Sequence, residues 1–343
     1  MRKLLNTLYV TSFDSYLKLD GENVVVVRKE CDDVRVPLHN LEGIVGFGYT
    51  GASPALMGKC AEAGISLTFM TKHGRFLARV TGENRGNVLL RKQQYRISDH
   101  EEKSLLYARN MIAGKLLNSR NVLERACRDY ELRINEENIR KVSQILKQDV
   151  VSAREAMSLD VLRGIEGKGA VEYFSVLDEL ILQQKDEFYF HGRNKRPPLD
   201  HVNALLSFVY TLLTKDVVSA LETVGLDPYV GFMHTDVPGR ASLAMDMVEE
   251  LRSVMADRFV LSLINRKIVS GKGFQKMESG AVLMDDDTRK SVLSSWQKKK
   301  QETLKHPFLD EKMEWGMIPF VQAQLLARTI RGDLDEYPPF LSK

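Results

Sequence analysis

Cysteine is scarce in this chain: Cys31, Cys60 and Cys127 stand far apart, and there is no Cys-x-x-Cys pair. That pattern argues against a thiolate zinc site or a disulfide framework and favours a reducing compartment. No stretch approaches the roughly 18 uninterrupted apolar residues of a bilayer span. The first ten residues have basic groups and a short apolar run, but no long apolar core or small-residue cleavage site follows. They read as a first strand rather than a signal peptide. The expectation is a soluble, cytoplasmic protein with no membrane partner. Neither sign of charge dominates, with 49 basic residues against 46 acidic ones. A net charge of +3 does not by itself indicate nucleic acid, so any such surface must be a local patch. Also lacking are a Walker loop, a Gly-x-Gly-x-x-Gly turn and a Ser-His-Asp signature. The glycine-rich stretch 43–51 does not end in the Gly-Lys-Ser/Thr of a phosphate loop.

What is present is ordinary globular composition, 43% hydrophobic and 28% charged, in a chain of 343 residues, long enough for two domains. The first 85 residues carry short apolar or alternating runs broken by turn residues, which predicts strands. Tyr16-Leu17-Lys18-Leu19 leads through Asp20-Gly21-Glu22-Asn23 into Val24-Val25-Val26-Val27, a hairpin pattern. Further strands are expected at 34–38, 43–47, 66–70 and 75–80, with one helix over 53–63. Gly82-Glu83-Asn84-Arg85-Gly86 reads as a loop or hinge, extending to about 90. From Leu89 onward the apolar period is that of helices. The Lys298-Lys299-Lys300 run reads as a helix surface. The expected fold class is therefore α+β and multidomain: a small β-rich N-terminal domain (1–85) and a larger all-α domain (86–343) joined by a hinge at 86–90.

Three segments carry candidate chemistry. On a helix, Leu162, Glu166, Gly169, Ala170 and Tyr173 share one stripe, which places a carboxylate on a face that should be apolar. A buried carboxylate needs a cation, hydrogen-bond donors or a cleft; an internal salt bridge would also account for it. His234 follows Asp227-Pro228 and two glycines, in or beside a loop, and alone it could be a core histidine. Asp246 and Glu249, three apart in a helix, are neighbours that repel unless a cation relieves them. Alone, that helix could be an ordinary amphipathic one with Arg252 as a surface partner. Together, two or three carboxylates and one imidazole suit Mg²⁺ or Mn²⁺ better than zinc, and such an ion can activate a hydroxyl against a phosphodiester.

The order Leu162-x-Gly-x-Glu166-Gly-x-x-Ala-x-x-Tyr173-Phe174, then Gly225-Leu-x-Pro228-x-x-Gly231-Phe-x-His234, then Leu243-x-x-Asp246-x-x-Glu249-x-x-Arg252 resembles the CRISPR-associated spacer-acquisition integrases, the Cas-one family. Between the first two blocks, Arg193-x-x-Arg196-Pro197-Pro198-x-Asp200-x-x-Asn203 also resembles that family. The resemblance implies homodimers that assemble with a small Cas-two partner into a heterohexamer. It implies capture of a DNA prespacer, whose 3′-hydroxyl groups attack phosphodiesters at the repeat borders of a CRISPR array. It further implies that Glu166, His234 and Glu249 are catalytic metal ligands for Mg²⁺ or Mn²⁺, with Asp246 as a supporting acid. Arg193, Lys195 and Arg196 fit phosphate contacts to DNA, or else are helix-end charges. Asp246 and Glu249 remain alternatives for the third ligand. Two other functions stay open at this point: a stand-alone metal-dependent nuclease in repair, and a DNA-binding scaffold whose acids are structural.

Overall fold

The computed structural model describes residues 6–12, 14–28, 31–72, 74–82 and 88–342. They divide into two compact units. The strands of the first are Thr7–Val10 (β1), Tyr16–Asp20 (β2), Asn23–Val27 (β3), Val34–Pro37 (β4), Gly43–Phe47 (β5), Gly51–Ala52 (β6), Ser66–Met70 (β7) and Phe76–Val80 (β8). They make two four-stranded sheets, ordered β1-β5-β7-β8 and β4-β3-β2-β6. The β2–β3 hairpin sits where Asp20-Gly21 predicts it, with Leu19 opposite Val24. β5 runs parallel to β1 and β7, and parallel pairing needs a crossover. Helix Pro54–Ala63 (α1) supplies the one between β5 and β7. Ser53 caps it, its Oγ accepting the Leu56 N–H at 3.3 Å. Alternation along β2 buries Leu17 against Val24, Ile44, Leu56 and Cys60 in one apolar cluster.

Two later segments, Met284–Glu302 and Glu314–Met317, also belong to the first unit. This amends the expectation of an uninterrupted helical domain over 86–343. The physical reason lies in the helix Asp286–Lys300, whose Val292, Leu293 and Trp296 are buried. The Trp296 ring meets Trp315 edge-on at 5.2 Å, and the Arg289 guanidinium lies 5.8 Å from the centre of the Phe47 ring. Lys300 is likewise buried beside Gly316 rather than on a helix surface.

The expected hinge falls partly outside the described residues, at 83–87, while residues 88–90 already begin helix Val88–Ser98 (α2). The second unit continues with Glu101–Tyr130 (α3), Glu136–Glu155 (α4), Leu159–Ser175 (α5), His201–Val224 (α6), Ser242–Leu251 (α7) and Arg258–Asn265 (α8). Asp286–Lys300 (α9) is the helix of the first unit described above, and Ile318–Arg331 (α10) returns to the second. This unit is mostly helical rather than purely so, with short strands at Phe274–Lys276 and Thr303–Lys305. α3, 30 residues long and so ~45 Å from end to end, is the element on which α4, α5 and α7 all pack. α6 is long and apolar enough on composition to cross a bilayer, yet it packs against α7 and α10, and 56% of its most apolar window is buried. Core packing accounts for its apolarity.

The α3–α5 contact depends on Gly169. A Cβ there would fall 2.3 Å from Leu116 Cδ2, and Leu116 is itself fully packed. Gly169 stands one turn from Glu166, so this close approach also brings Glu166 to α3. Gly169→Val should therefore lower unfolding stability by ~1–3 kcal/mol through overpacking. Urea unfolding checks this; a variant as stable as the parent would show that the helices have room to part.

Candidate active site

Ser158 starts α5, its Oγ accepting the Val161 N–H at 3.2 Å. Two turns further on, Glu166 is half-buried and its Oε1 meets the Nζ of Lys115, which comes from the middle of α3. The same ammonium lies 2.6 Å from Glu249 Oε2 on α7. One lysine, only 8% exposed, thus sits on two carboxylates from two other helices. Glu249 Oε1 pairs with Arg252 at 2.8 Å, where α7 passes into a π-helical turn, Arg252–Asp257. Glu249 Oε2 is close to Lys115 but takes no well-directed hydrogen bond, and it is shut off from solvent.

His234 reaches the site from the loop between α6 and α7. Asp246, 1% exposed, anchors that loop. Its Oδ2 accepts the N–H groups of Phe232 at 2.6 Å and Met233 at 3.0 Å, and its Oδ1 accepts the His234 N–H at 3.0 Å. The His234 Nδ1 lies 2.6 Å from the same Oδ1. With Nδ1–H donated to a carboxylate, the lone pair of the ring is left on Nε2, the tautomer that suits a metal ligand or a base. Only glycine fits at 231, since a Cβ would come within 3.0 Å of Asp246 Oδ2, Ser242 and the His234 carbonyl. Arg163 of α5 holds the loop from the other side, its Nη2 donating to the Met233 carbonyl at 3.0 Å.

Three acids within five residues of α7 have three different fates. Burial drives the Glu249 carboxyl upward, but Arg252 and Lys115, helped by His234, outweigh it and hold the group down at about 2. Glu250, next in sequence, faces neutral donors instead. It accepts from the Tyr337 hydroxyl at 2.6 Å and from Gln322 Nε2 at 3.0 Å. Burial prevails over those hydrogen bonds and pushes it up to about 7. Asp246 spends its lone pairs on the loop. Behind the site, burial raises Asp257 to about 6, although the Tyr210 hydroxyl donates to it at 2.6 Å.

The sequence candidates therefore fall into sets. Glu166 and Glu249 converge on one cation, and His234 is tied to Asp246. Among the described residues, no three His, Cys, Asp or Glu side chains are drawn together closely enough to hold a metal ion as they stand. The space between the two carboxylates is nonetheless that of a cation: an ammonium lies in it, hard oxygen donors face it, and one buried carboxylate oxygen lacks a directed donor. That set fits a divalent cation that prefers oxygen ligands. Arg193 is not a free surface charge. It donates to Asn203 Oδ1 at 2.7 Å and Ser207 Oγ at 3.0 Å, and its guanidinium lies 5.2 Å from the Tyr210 ring centre. Lys195 and Arg196 are exposed. The same Tyr210 ring has the Arg252 guanidinium at 4.9 Å, so Arg252 is an inner residue rather than a surface partner. Sequence reasoning passed over Lys115, although a charge inside the apolar run Met111-Ile112-Ala113-Gly114-Lys115-Leu116-Leu117 is the same signal that singled out Glu166.

A sequence model of the family described as "CRISPR associated protein Cas1" matches residues 8–298. The chain belongs to the Cas1 family. It is 49% identical, over 341 residues and 99% of both chains, to "CRISPR-associated endonuclease Cas1 1" of Chlorobaculum tepidum. Its fold is similar to that of a "Casposase bound to integration product", with a TM-score of 0.84, 18% identity and coverage of 98% of this chain and 94% of that one. It is similar also to part of a "Cas6-RT-Cas1--Cas2 complex", with a TM-score of 0.82, 20% identity and coverage of 98% of this chain and 36% of that one. A divalent-metal requirement goes with nucleases of the Cas1 family.

Two outcomes test the geometry. Asp246→Ala leaves three backbone N–H groups of the loop without their acceptor, and should cost at least ~2 kcal/mol of stability; chemical denaturation that finds no loss would show the loop anchored elsewhere. The Glu250 carboxyl is raised above its unfolded value of 4.5, so the unfolded chain releases its proton first as pH rises. The contribution of Glu250 to stability therefore falls from about pH 4.5 to about pH 7, by ~1.4 kcal/mol per unit. In EDTA, Glu250→Gln should gain on the parent by ~3 kcal/mol between pH 4.5 and 7.5. A parent–variant difference that stays constant over that range contradicts the raised carboxyl.

Proposed function

We propose that this Cas1 family member is the DNA-joining enzyme of CRISPR adaptation, with Glu166, Glu249 and His234 holding one divalent ion, Mg²⁺ or Mn²⁺. The observation that supports it best is the meeting of two motif carboxylates, from α5 and α7, on one buried cation. When bound there, the ion supplies Lewis-acid polarisation of the phosphoryl oxygen and lowers the pKa of the attacking hydroxyl. The residues of the chain do the positioning. Asp246 fixes the His234 ring so that Nε2 is the free nitrogen. Because its oxygens are committed to four donors, Asp246 supports the site, and Glu249 is the third ligand. Arg252 presents a fixed positive charge, held by Glu249 and the Tyr210 ring, where charge develops on a phosphoryl group.

The reaction proposed is transesterification. The 3′-hydroxyl of a prespacer attacks a phosphodiester at a repeat border of the array, one P–O bond forms as another breaks, and the number of diesters is conserved. Lys195 and Arg196, exposed beside α6, are assigned to phosphate contacts that position DNA without reading its bases. Arg193 is assigned to holding that loop. A homodimer, assembled with a small Cas2 partner into a heterohexamer, is part of the same proposal, as is a cytoplasmic location. The structural neighbour that is a Cas1–Cas2 complex supports the partner.

Purified protein with its small partner, Mn²⁺ or Mg²⁺, a duplex bearing 3′-hydroxyls and a repeat-containing target should yield covalently joined DNA, and EDTA should abolish the product. Glu166→Ala and His234→Ala should each lower joining at least ~100-fold while remaining folded. Variants that join as well as the parent would refute the assignment. Cleavage without joining or array preference would point to a repair nuclease, and metal-independent binding without chemistry to a scaffold.

A further inference from the structure

Lys115 stands in a stretch of α3 where Ala113, Gly114 and Leu116 are all buried. An ammonium in such a place is tolerated only if it is paired. Its partners are Glu166 Oε1 and, at 2.6 Å, Glu249 Oε2. Arg252 is engaged on the other oxygen of Glu249, so Lys115 is the cation shared by both carboxylates. A divalent ion bound by these two groups at oxygen distances of ~2.0–2.2 Å needs the space between them that Nζ fills. Two cations cannot share that space, because at such separations their repulsion in a buried site is severe.

We propose that Lys115 is a built-in counter-ion of the site: its ammonium holds Glu166 and Glu249 together in the metal-free protein and is displaced when a divalent cation binds. The inference rests on the metal-site reading given above. A lysine side chain is a point charge on a flexible four-carbon stem, so displacement needs only rotamer changes. A cavity of about 60 Å³ beside the ammonium gives it somewhere to go. Ser119, Ser253 and Asp257 also line that cavity, and the buried Ser253 hydroxyl has no hydrogen-bond partner among the described residues. The counter-ion has two effects. It prevents the Glu166 and Glu249 carboxylates from repelling each other across α5 and α7 while the site waits for metal, and it sets metal affinity by competing for the same oxygens.

Lys115→Met keeps the stem and removes the charge. By isothermal titration calorimetry its affinity for Mn²⁺ should rise about tenfold, the lower end of what neighbours of metal ligands do. In EDTA its thermal midpoint should fall by several degrees, and saturating Mn²⁺ should restore it. A variant that binds Mn²⁺ no more tightly than the parent overturns the inference. Should the variant not fold, the parent itself provides the test through reductive methylation of Lys115 read by peptide mass spectrometry. Labelling should rise when Mn²⁺ is added, and labelling that does not change overturns the proposal. Glu166→Gln, titrated alongside, separates the two readings. If it weakens Mn²⁺ binding while Lys115→Met leaves binding unchanged, the ligand assignment stands and the counter-ion alone fails. If the parent and Glu166→Gln bind Mn²⁺ alike, the ligand assignment fails and the counter-ion falls with it.

Discussion

Two carboxylates brought together on one ammonium, Glu249 buried and Glu166 half-buried, must be neutralised, and the arrangement of the helical unit follows from how this is done. The ammonium of Lys115 joins α3 to α5 through Glu166 and to α7 through Glu249. The surrounding packing makes that meeting possible. Gly169 lets α5 close on α3 one turn from Glu166, and Arg163 carries the His234 loop on α5. The charges are costly to bury singly and tolerable as a set, so the site is a network whose members stand or fall together.

Asp246, Glu249 and Glu250 show how far neighbours, not residue type, decide what an acid does. Asp246 is held by backbone N–H groups and becomes the anchor of a loop. Glu249 faces two cations and is kept ionised far below the usual carboxylate range. Glu250 faces a phenol, an amide and a backbone N–H, so burial prevails and its proton is retained to near neutrality. These side chains lie within five residues of one helix, and the direction each takes from the axis selects its environment.

Much of the first unit was legible because strands leave a local mark. Alternation in Tyr16-Leu17-Lys18-Leu19, turn chemistry at Asp20-Gly21 and the Ser53-Pro54 start of α1 each act over a few residues. α9 was not legible as part of that unit. The apolar face of its Trp296, Val292 and Leu293 says that the helix must pack, but not against what. Of the Lys298-Lys299-Lys300 run, Lys298 does lie on the helix surface and Lys300 alone does not, since a lysine is written alike whether its stem is in water or buried beside Gly316.

By itself the sequence determined the residue types of the site and their order: a carboxylate on an apolar helical stripe, a histidine after a Pro–Gly loop, and acids crowded into a third helix. These features tied the chain to the Cas1 pattern, because hard oxygen donors and an imidazole restrict the chemistry whatever their arrangement. Only the tertiary structure decided which acid is an anchor and which faces a cation, that Arg193 is committed to Asn203, Ser207 and Tyr210, and that Lys115 belongs to the site at all. Pairing between α3, α5 and α7 joins residues far apart in the chain. Electrostatic energy depends on distance in space and on the surrounding dielectric, and neither is written in the spacing of a sequence.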